Sequence, residues 1–228
     1  LRLISYRAIT EKSNPIEAFF RKVCCAIIEA KPDKIVGFYI MAILDLKYYG
    51  ASVLTRPAKP VKHIDRELLK LAQDMLDSMY HYNGVGLAAP QVGVSKRFFI
   101  VDCGEEYQKE PFFLINPEVV SVDGKQMGGE GCLSLPEFYT EVERPESCVI
   151  KAMDLSGKEI TVKGQGLLAR ALLHELDHLN GILFTEHVDN EEALNEGIPP
   201  ALHPPWSTPT TRSLAGELPD VPPFRSIP

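Results

Sequence analysis

The clearest alternation of apolar and polar positions lies between Asp65 and Tyr82. Apolar residues recur there three or four positions apart, and acidic residues occupy the first turn. The repeating apolar positions are Leu68, Leu69, Ala72, Met75, Leu76 and Met79. Residues at this spacing share one face of an α-helix, so the pattern predicts an amphipathic helix with that face in the core.

Short runs of β-branched and aromatic residues indicate strands. These runs cover residues 97–101, 112–115, 119–122, 148–152 and 159–162. Turn sequences such as Asp123-Gly124 and Ser156-Gly157 separate them, which favours antiparallel pairing. A further strand is predicted over residues 42–46, directly after Met41.

A second helix is predicted from about Gly166 to Leu179, with apolar residues on most of its circumference. We expect such a helix to lie at the centre of the domain. The dipeptide Asn180-Gly181 supplies its C-terminal stop, because glycine readily adopts the left-handed conformation that ends helices.

Composition limits the number of domains and the classes of partner. The chain has 228 residues, 45% of them apolar, which fits one compact domain with extensions. Acidic residues outnumber basic ones by 31 to 24, and the net charge of -7 disfavours direct nucleic-acid binding. The longest apolar run is about half of a membrane span, so we expect no membrane association. Five cysteines do not suit a disulfide scaffold and favour a reducing compartment.

Proline marks one limit of the domain. Nine of the 18 prolines lie between Pro199 and Pro228, where no helical or strand pattern survives. Residues 189–228 are therefore expected to form a Pro-rich, disordered tail. Residues 1–40 form an N-terminal extension whose order stays open, and its glutamates disfavour a secretory or transit signal. The predicted domain covers residues 41–188.

The second helix carries His174, Glu175 and His178 in an H-E-x-x-H arrangement. Four residues make slightly more than one helical turn, so both imidazoles project from one face and can bind one metal ion. Glu175 is then placed to reach a water molecule beside that ion. Two histidines make only half of a site, so a third ligand is required.

Three sources of the third ligand are considered. The metzincin position, six residues after His178, is occupied by Phe184, and His187 lies three residues further on. A thermolysin-like site would take a glutamate from the set Glu191, Glu192 and Glu196, which adjoin the Pro-rich tail. The better candidate is Cys132, in a Gly-rich segment that allows close backbone approach.

A third segment, residues 84–93, contains too many small residues for an ordinary strand. It indicates backbone packed tightly against a helix or a ligand. Taken in order and spacing, the segments 84–91, 130–136 and 174–178 resemble the three signature motifs of peptide deformylases. The resemblance covers residues 41–188. It implies an α+β fold in which antiparallel β-sheets surround a central helix that carries the H-E-x-x-H motif.

The resemblance also implies the catalytic machinery. Cys132, His174 and His178 become the metal ligands, and a metal-bound water attacks the formyl carbon. Glu175 becomes the general acid/base, while Gln91 and the backbone N–H of Leu133 hold the oxyanion. The expected ion is Fe2+, and Zn2+, Ni2+ or Co2+ can occupy such a site. The implied reaction removes the N-formyl group from the formyl-methionine of nascent polypeptides and releases formate.

The same resemblance suggests a binding site for the peptide. The expected substrate-binding residues are Val85, Gly86, Gly131, Leu133, Leu167 and Ala171. Glu130 and Arg144 are expected to support the metal ligands, with an exposed salt bridge as the alternative for either. The implied partner is a formylated nascent peptide near the ribosome, bound by a monomer in the cytoplasm or in an organelle.

Two other functions remain open on the sequence. The H-E-x-x-H helix also suits a zinc endopeptidase, which would cleave internal peptide bonds. A structural metal site or a protein-binding module is the non-enzymatic alternative, with the Pro-rich tail as a ligand for an aromatic groove. Glu175 and Gln91 disfavour this second alternative, because a structural site requires neither.

Overall fold

The computed structural model of the protein describes residues 42–108 and 110–188. The predicted extension 1–40 and the predicted tail 189–228 lie outside the described residues, as do the glutamates of the thermolysin-like alternative. Within the described part, no helix is both long enough and apolar enough to cross a bilayer.

The first helix, α1, spans Arg66–His81. Asp65 caps it by accepting a hydrogen bond from the Leu68 backbone N–H to its side-chain Oδ1, at 2.8 Å. All six apolar positions that predicted the helix are buried. They pack on the five-stranded sheet described below, as part of one hydrophobic cluster. The prediction of an amphipathic helix here is therefore confirmed.

Most strands join one antiparallel sheet in the order β1-β2-β3-β6-β7. The strands are β1 Gly86–Ala88, β2 Phe98–Val101, β3 Phe112–Asp123, β6 Ser147–Met153 and β7 Glu159–Gln165. The antiparallel pairing expected from the turn sequences is confirmed.

The separate strands predicted at 112–115 and 119–122 are wrong, because β3 is continuous across both. Its pairing with β6 shifts register twice between Ile115 and Ser121. Asn116 has a φ of 49° at this point, and its side-chain amide exchanges two 2.8 Å hydrogen bonds with the Val61 backbone. The sequence break therefore marks β-bulges inside one strand.

A second, two-stranded sheet was missed by the sequence pattern. It pairs β4 Gln126–Cys132 with β5 Leu135–Arg144. Glycines at 128, 129 and 131 lower the β-propensity of β4, which explains why no strand was predicted there. This hairpin carries Cys132 at its tip.

The strand predicted over residues 42–46 is also wrong. The Leu44 backbone N–H donates to Ser78 Oγ of α1 at 2.8 Å, and the Tyr82 hydroxyl donates to the Leu44 carbonyl at 3.2 Å. Leu46 is buried in the hydrophobic cluster beside α1. The segment therefore lies against the helix and pairs with no strand of the described residues.

The second helix, α2, spans Leu167–Asn180 and ends at Gly181, whose φ is 77°. The buried apolar residues of α2 join a second hydrophobic cluster with side chains of β2, β3, β6 and β7. The helix stop predicted at Asn180-Gly181 is confirmed. Antiparallel sheets together with α1 and α2 make the domain an α+β fold, as expected.

Candidate active site

Helix α2 supplies three polar side chains to one buried spot. His174, Glu175 and His178 are 8%, 4% and 1% exposed, and the two imidazole centroids lie 5.0 Å apart. Because His174 and His178 are one turn apart, their rings share one face of the helix. The helix thus presents a pair of nitrogen donors from a rigid element.

The hairpin brings Cys132 to the two histidines. Cys132 Sγ lies 3.2 Å from His178 Nε2, and the ligand atoms of the three residues all lie within 4.8 Å of one another. The β4-β5 register shifts between Gly131 and Cys132, at the end of the strand. A residue at such a bulge can point away from the regular pleat, which here aims the thiol at the helix.

These donors fit a transition-metal ion. Two ligands of one tetrahedral ion, a thiolate and an imidazole, are separated by about 3.5 Å, close to the Cys132–His178 distance. Burial alone would raise the pKa of Cys132, but the imidazoles of His178 and His174 outweigh burial and hold it well below its usual value. The thiolate, which is the form that binds metals, is thereby favoured.

Glu175 lies beside this set of donors. Its carboxylate packs against Gly86 of β1 so closely that a Cβ on that glycine would stand 2.3 Å from Oε1. Burial raises the pKa of Glu175 to about 7 despite the nearby histidines. The buried Oε2 atom has no hydrogen-bond partner among the described residues, and neither has His178 Nδ1.

Gln91 approaches the same spot from a short 3-10 helix, Ala89–Val92. Its Oε1 accepts a 2.8 Å hydrogen bond from the Ala88 backbone N–H, which fixes the orientation of the amide. The Nε2 group then faces Cys132 Sγ at 3.5 Å and Ser134 Oγ at 3.3 Å. Leu133 lies between these two residues in the hairpin connection.

A cavity of about 470 Å³ opens above these groups. All six predicted substrate-binding residues line it: Val85, Gly86, Gly131, Leu133, Leu167 and Ala171. Tyr139 lines it too, and sequence reasoning missed two further tyrosines of the lining, Tyr48 and Tyr82. Neither of the two belongs to a motif, and only folding brings their separate segments to the cavity.

Glu130 and Arg144 form a buried ion pair, each 5% exposed. Arg144 donates from Nε and Nη2 to the two oxygens of Glu130, at 2.8 and 3.0 Å. Glu130 Oε2 also accepts a 3.0 Å hydrogen bond from His174 Nδ1. This bond leaves the other ring nitrogen of His174 free for a metal. The alternative of an exposed salt bridge is therefore wrong for both residues.

The hydrogen-bond donors His174 and Arg144 stabilise the charged form of Glu130. Burial raises its pKa, but the hydrogen bonds from His174 and Arg144 and the Arg144 charge bring it down to about 2. Arg170 of α2, which the sequence analysis did not single out, donates to the same carboxylate at 2.8 Å. An arginine within the apolar first half of a buried helix is the signal that could have identified it.

The rejected third ligands have other contacts. Phe184 is buried with its ring centroid 5.7 Å from that of His174. His187 lies 2.8 Å from Asp177 Oδ2, and Asp177 also accepts a 2.6 Å hydrogen bond from Arg144 Nη1. Neither residue belongs to the group of three potential ligands.

Comparison with known proteins identifies the family. The family model of polypeptide deformylase matches residues 43–193. A peptide deformylase of Carboxydothermus hydrogenoformans is 49% identical over 150 residues, covering 66% of this chain and 96% of that protein.

Solved structures agree as well. A crystal structure of a peptide deformylase from Synechococcus elongatus in complex with actinonin is 42% identical, with a TM-score of 0.65 over 71% of this chain and 90% of that chain. A Met-Ala-Ser-bound class I type b peptide deformylase from Acinetobacter baumannii is 36% identical, with a TM-score of 0.62 over 65% of this chain and all of that chain. Sequence and fold thus agree, and the chain belongs to the polypeptide deformylases, metal-dependent hydrolases that remove the N-formyl group from nascent peptides.

Proposed function

We propose that this chain hydrolyses the N-formyl group of formyl-methionine at the start of nascent polypeptides, with Cys132, His174 and His178 as its metal ligands. The observation that carries the proposal is the meeting of Cys132 with both histidines beneath an open cavity, next to Glu175 and Gln91. A site that served structure alone would require neither the acid nor the amide.

The proposed ion is Fe2+, and one thiolate with two imidazoles also suits Zn2+, Ni2+ and Co2+. Three protein ligands leave a position open, and the bound ion would supply Lewis acidity and a lowered pKa for water. Glu130 holds His174 in the tautomer that can ligate, through the 3.0 Å hydrogen bond to Nδ1.

Glu175 moves the proton in the proposed reaction. Its Oε2, which has no hydrogen-bond partner within the described part of the chain, accepts a proton from the water that attacks the formyl carbon. A C–O bond forms, the C–N bond breaks, and Glu175 passes the proton to the departing amine. Formate and a free amino terminus are the products.

Gln91 and Leu133 stabilise the negative charge that develops on the formyl oxygen. The Gln91 amide is fixed by Ala88, so its Nε2–H group requires little reorganisation during the reaction. The backbone N–H of Leu133 is the second proposed donor. Loss of one such donor typically costs about 3 kcal/mol of transition-state stabilisation.

The cavity lining suits a methionine side chain. Val85, Gly86, Leu133, Leu167 and Ala171 offer apolar and small surfaces beside the proposed ligands. We also propose that Val85, Gly86 and Gly131 pair with the substrate backbone as an added strand. The bound Met-Ala-Ser of the Acinetobacter relative has the sequence expected of such a product.

The proposed partner is a formylated nascent chain near the ribosome. The net charge of -7 favours peptide recognition without direct contact to nucleic acid. We further propose that the protein acts as a monomer, in the cytoplasm or in an organelle.

Product analysis tests this function. Anaerobically prepared protein is incubated with formyl-Met-Ala-Ser, and mass spectrometry identifies the peptides while formate is quantified. We expect formate and Met-Ala-Ser in equal amounts. Internal cleavage of a longer formylated peptide would instead support the zinc endopeptidase.

Two variants test the proposed roles. Cys132→Ala should lose metal binding and activity together, because it removes the thiolate ligand. Glu175→Ala should retain the metal and lose turnover, because it leaves the three ligands intact. Full activity of folded Glu175→Ala protein would contradict the assignment of the acid/base.

A further inference from the structure

Arg170 links the two halves of the site. It lies one helical turn before His174 on α2 and is 6% exposed. Its Nη1 donates to Glu130 Oε1 at 2.8 Å and to the Val142 carbonyl at 3.0 Å, and its Nη2 donates to the Gln126 carbonyl at 3.3 Å. One guanidinium from the helix thus binds both strands of the hairpin.

We infer that Arg170 is a positioning residue that holds the hairpin against α2 and so sets the distance from Cys132 to the two histidines. This inference rests on the proposed metal site. It concerns how that site is held together, and it does not depend on which bond the protein hydrolyses.

The β4-β5 hairpin depends on contacts with the rest of the domain for its position. It is a two-stranded sheet that shares no strand with the five-stranded sheet, and an isolated hairpin is at best marginally stable in water. Its contacts with the rest of the domain include a small cluster formed by Leu135, Phe138, Val142 and Phe184. Since Cys132 lies on the hairpin, movement of the hairpin would move one ligand relative to the other two.

Gly128 provides an independent indication that the guanidinium belongs against β4. A Cβ at Gly128 would lie 3.0 Å from Arg170 Nη2 and 3.3 Å from Arg170 Cζ. A Cβ at position 128 would therefore require the guanidinium to shift by a few tenths of an ångström, which shows how closely β4 approaches it. The close approach and the hydrogen bond to Gln126 place Arg170 against the same strand.

Arg170 binds both strands of the hairpin from α2, whereas Arg144, the other arginine on Glu130, is itself part of the hairpin. The two bonds from Arg144 to Glu130 join β5 to β4, and Arg144 Nη1 also donates to Asp177 Oδ2 of α2 at 2.6 Å. Those bonds remain when Arg170 is replaced, and they keep the Glu130 carboxylate paired. The expected consequence of losing Arg170 is therefore a looser ligand set, with Glu130 still charged.

Cobalt binding tests the inference. Metal-free wild-type, Arg170→Met and Arg170→Lys proteins are loaded with Co2+, and the thiolate-to-cobalt absorption band is recorded. A chelator is then added, and decay of the band gives the rate of cobalt loss. Methionine keeps a long apolar stem without donors, whereas lysine keeps one cation but not the planar fork that reaches three acceptors.

We expect Arg170→Met to lose cobalt about 10- to 100-fold faster than wild type, with an altered band at saturating cobalt, and Arg170→Lys to fall between them. Val142→Ala is the matched control, because it removes hairpin packing but keeps the carbonyl that accepts from Arg170. This control should keep the wild-type band and a rate within about twofold of wild type, even where its unfolding midpoint falls.

The outcomes of the cobalt experiment decide whether Arg170 positions the ligands. A wild-type band and rate in folded Arg170→Met would overturn the inference. Equal effects of Val142→Ala and Arg170→Met would also overturn it, because hairpin stability alone would then explain both. If Arg170→Met does not fold, the rate measured for Arg170→Lys decides. Absence of the band in wild-type protein would contradict the proposed ligand set itself.

Discussion

Replacement of Gly86 by alanine should displace the proposed acid/base without touching the proposed metal ligands. The new Cβ would stand 2.3 Å from Glu175 Oε1 and 2.8 Å from both Cδ and Cγ. Ordinary contacts of a Cβ begin at 3.4 Å, so the carboxylate or strand β1 must move by about 1 Å. Glu175 is 4% exposed, and its neighbours leave it little room to yield.

A displacement of about 1 Å at a catalytic group can cost roughly 100-fold in rate. We therefore expect Gly86→Ala to lower kcat for formate release from formyl-Met-Ala-Ser by about that factor, with the metal content unchanged. Gly129→Ala is the matched control, because a Cβ there meets nothing within 4 Å. It should retain most of the activity.

The split between kcat and KM decides whether the reasoning holds. A wild-type kcat for Gly86→Ala would refute the close packing of Glu175 on β1. A raised KM with unchanged kcat would refute it too, because the alanine would then only obstruct the cavity.

Three further predictions concern neighbouring groups. In metal-free protein, iodoacetamide should modify Cys132 before Cys103, because burial raises the pKa of Cys103 to about 11 while the pKa of Cys132 is lowered. Bound metal should protect Cys132 from modification. Peptide mapping of the modified protein checks both expectations. The folded-state pKa of Glu130 is lowered from 4.5 to about 2. Its charged form therefore contributes about 3 kcal/mol to the free energy of unfolding above pH 4.5, and this contribution is lost as the pH falls toward 2. Urea unfolding should therefore show the gap between wild type and Glu130→Gln shrinking over that range, and a constant gap would contradict the lowered pKa. Gly131→Ala should lower the free energy of unfolding by less than about 1 kcal/mol. Its Cβ would lie 2.2 Å from the Tyr139 ring, but Tyr139 is 77% exposed and can rotate into solvent. A larger loss would show that the ring is fixed.

Helix α1 illustrates what the apolar pattern determines. Its six repeating positions are all buried, and Asp65 caps the helix where the acidic first turn was expected. Helical spacing identifies a buried face without reference to distant segments. The pattern fails over residues 42–46, because Leu46 is buried by packing beside α1. Alternation indicates burial there, but it does not identify the backbone partner.

The hairpin illustrates what the pattern omits. Gly128 and Gly131 in β4 lie where Arg170 and Tyr139 approach the backbone. Those partners come from other elements, so the sequence indicates a close approach at these glycines without identifying the side chains that approach. The same limit applies to Arg170 itself, since its acceptors lie 28 to 44 residues away along the chain.

The candidate site was more predictable than the fold around it. His174, Glu175 and His178 are fixed by spacing on one helix, and the Gly-rich segment made Cys132 the better third ligand. The resemblance then pointed to Gln91. The structure brings these five residues together beneath or beside one cavity. The tyrosines of the cavity wall belong to no motif, and their contribution depends on packing between distant segments.

The central claim is that Cys132, His174 and His178 hold one metal ion that is required for deformylation. Its most direct test is anaerobic titration of metal-free protein with Fe2+ while formate release from formyl-Met-Ala-Ser is measured. Activity should rise in proportion to added iron and stop rising at about one ion per chain. Formate release that is independent of iron, or no release from folded, iron-loaded protein, would contradict the claim.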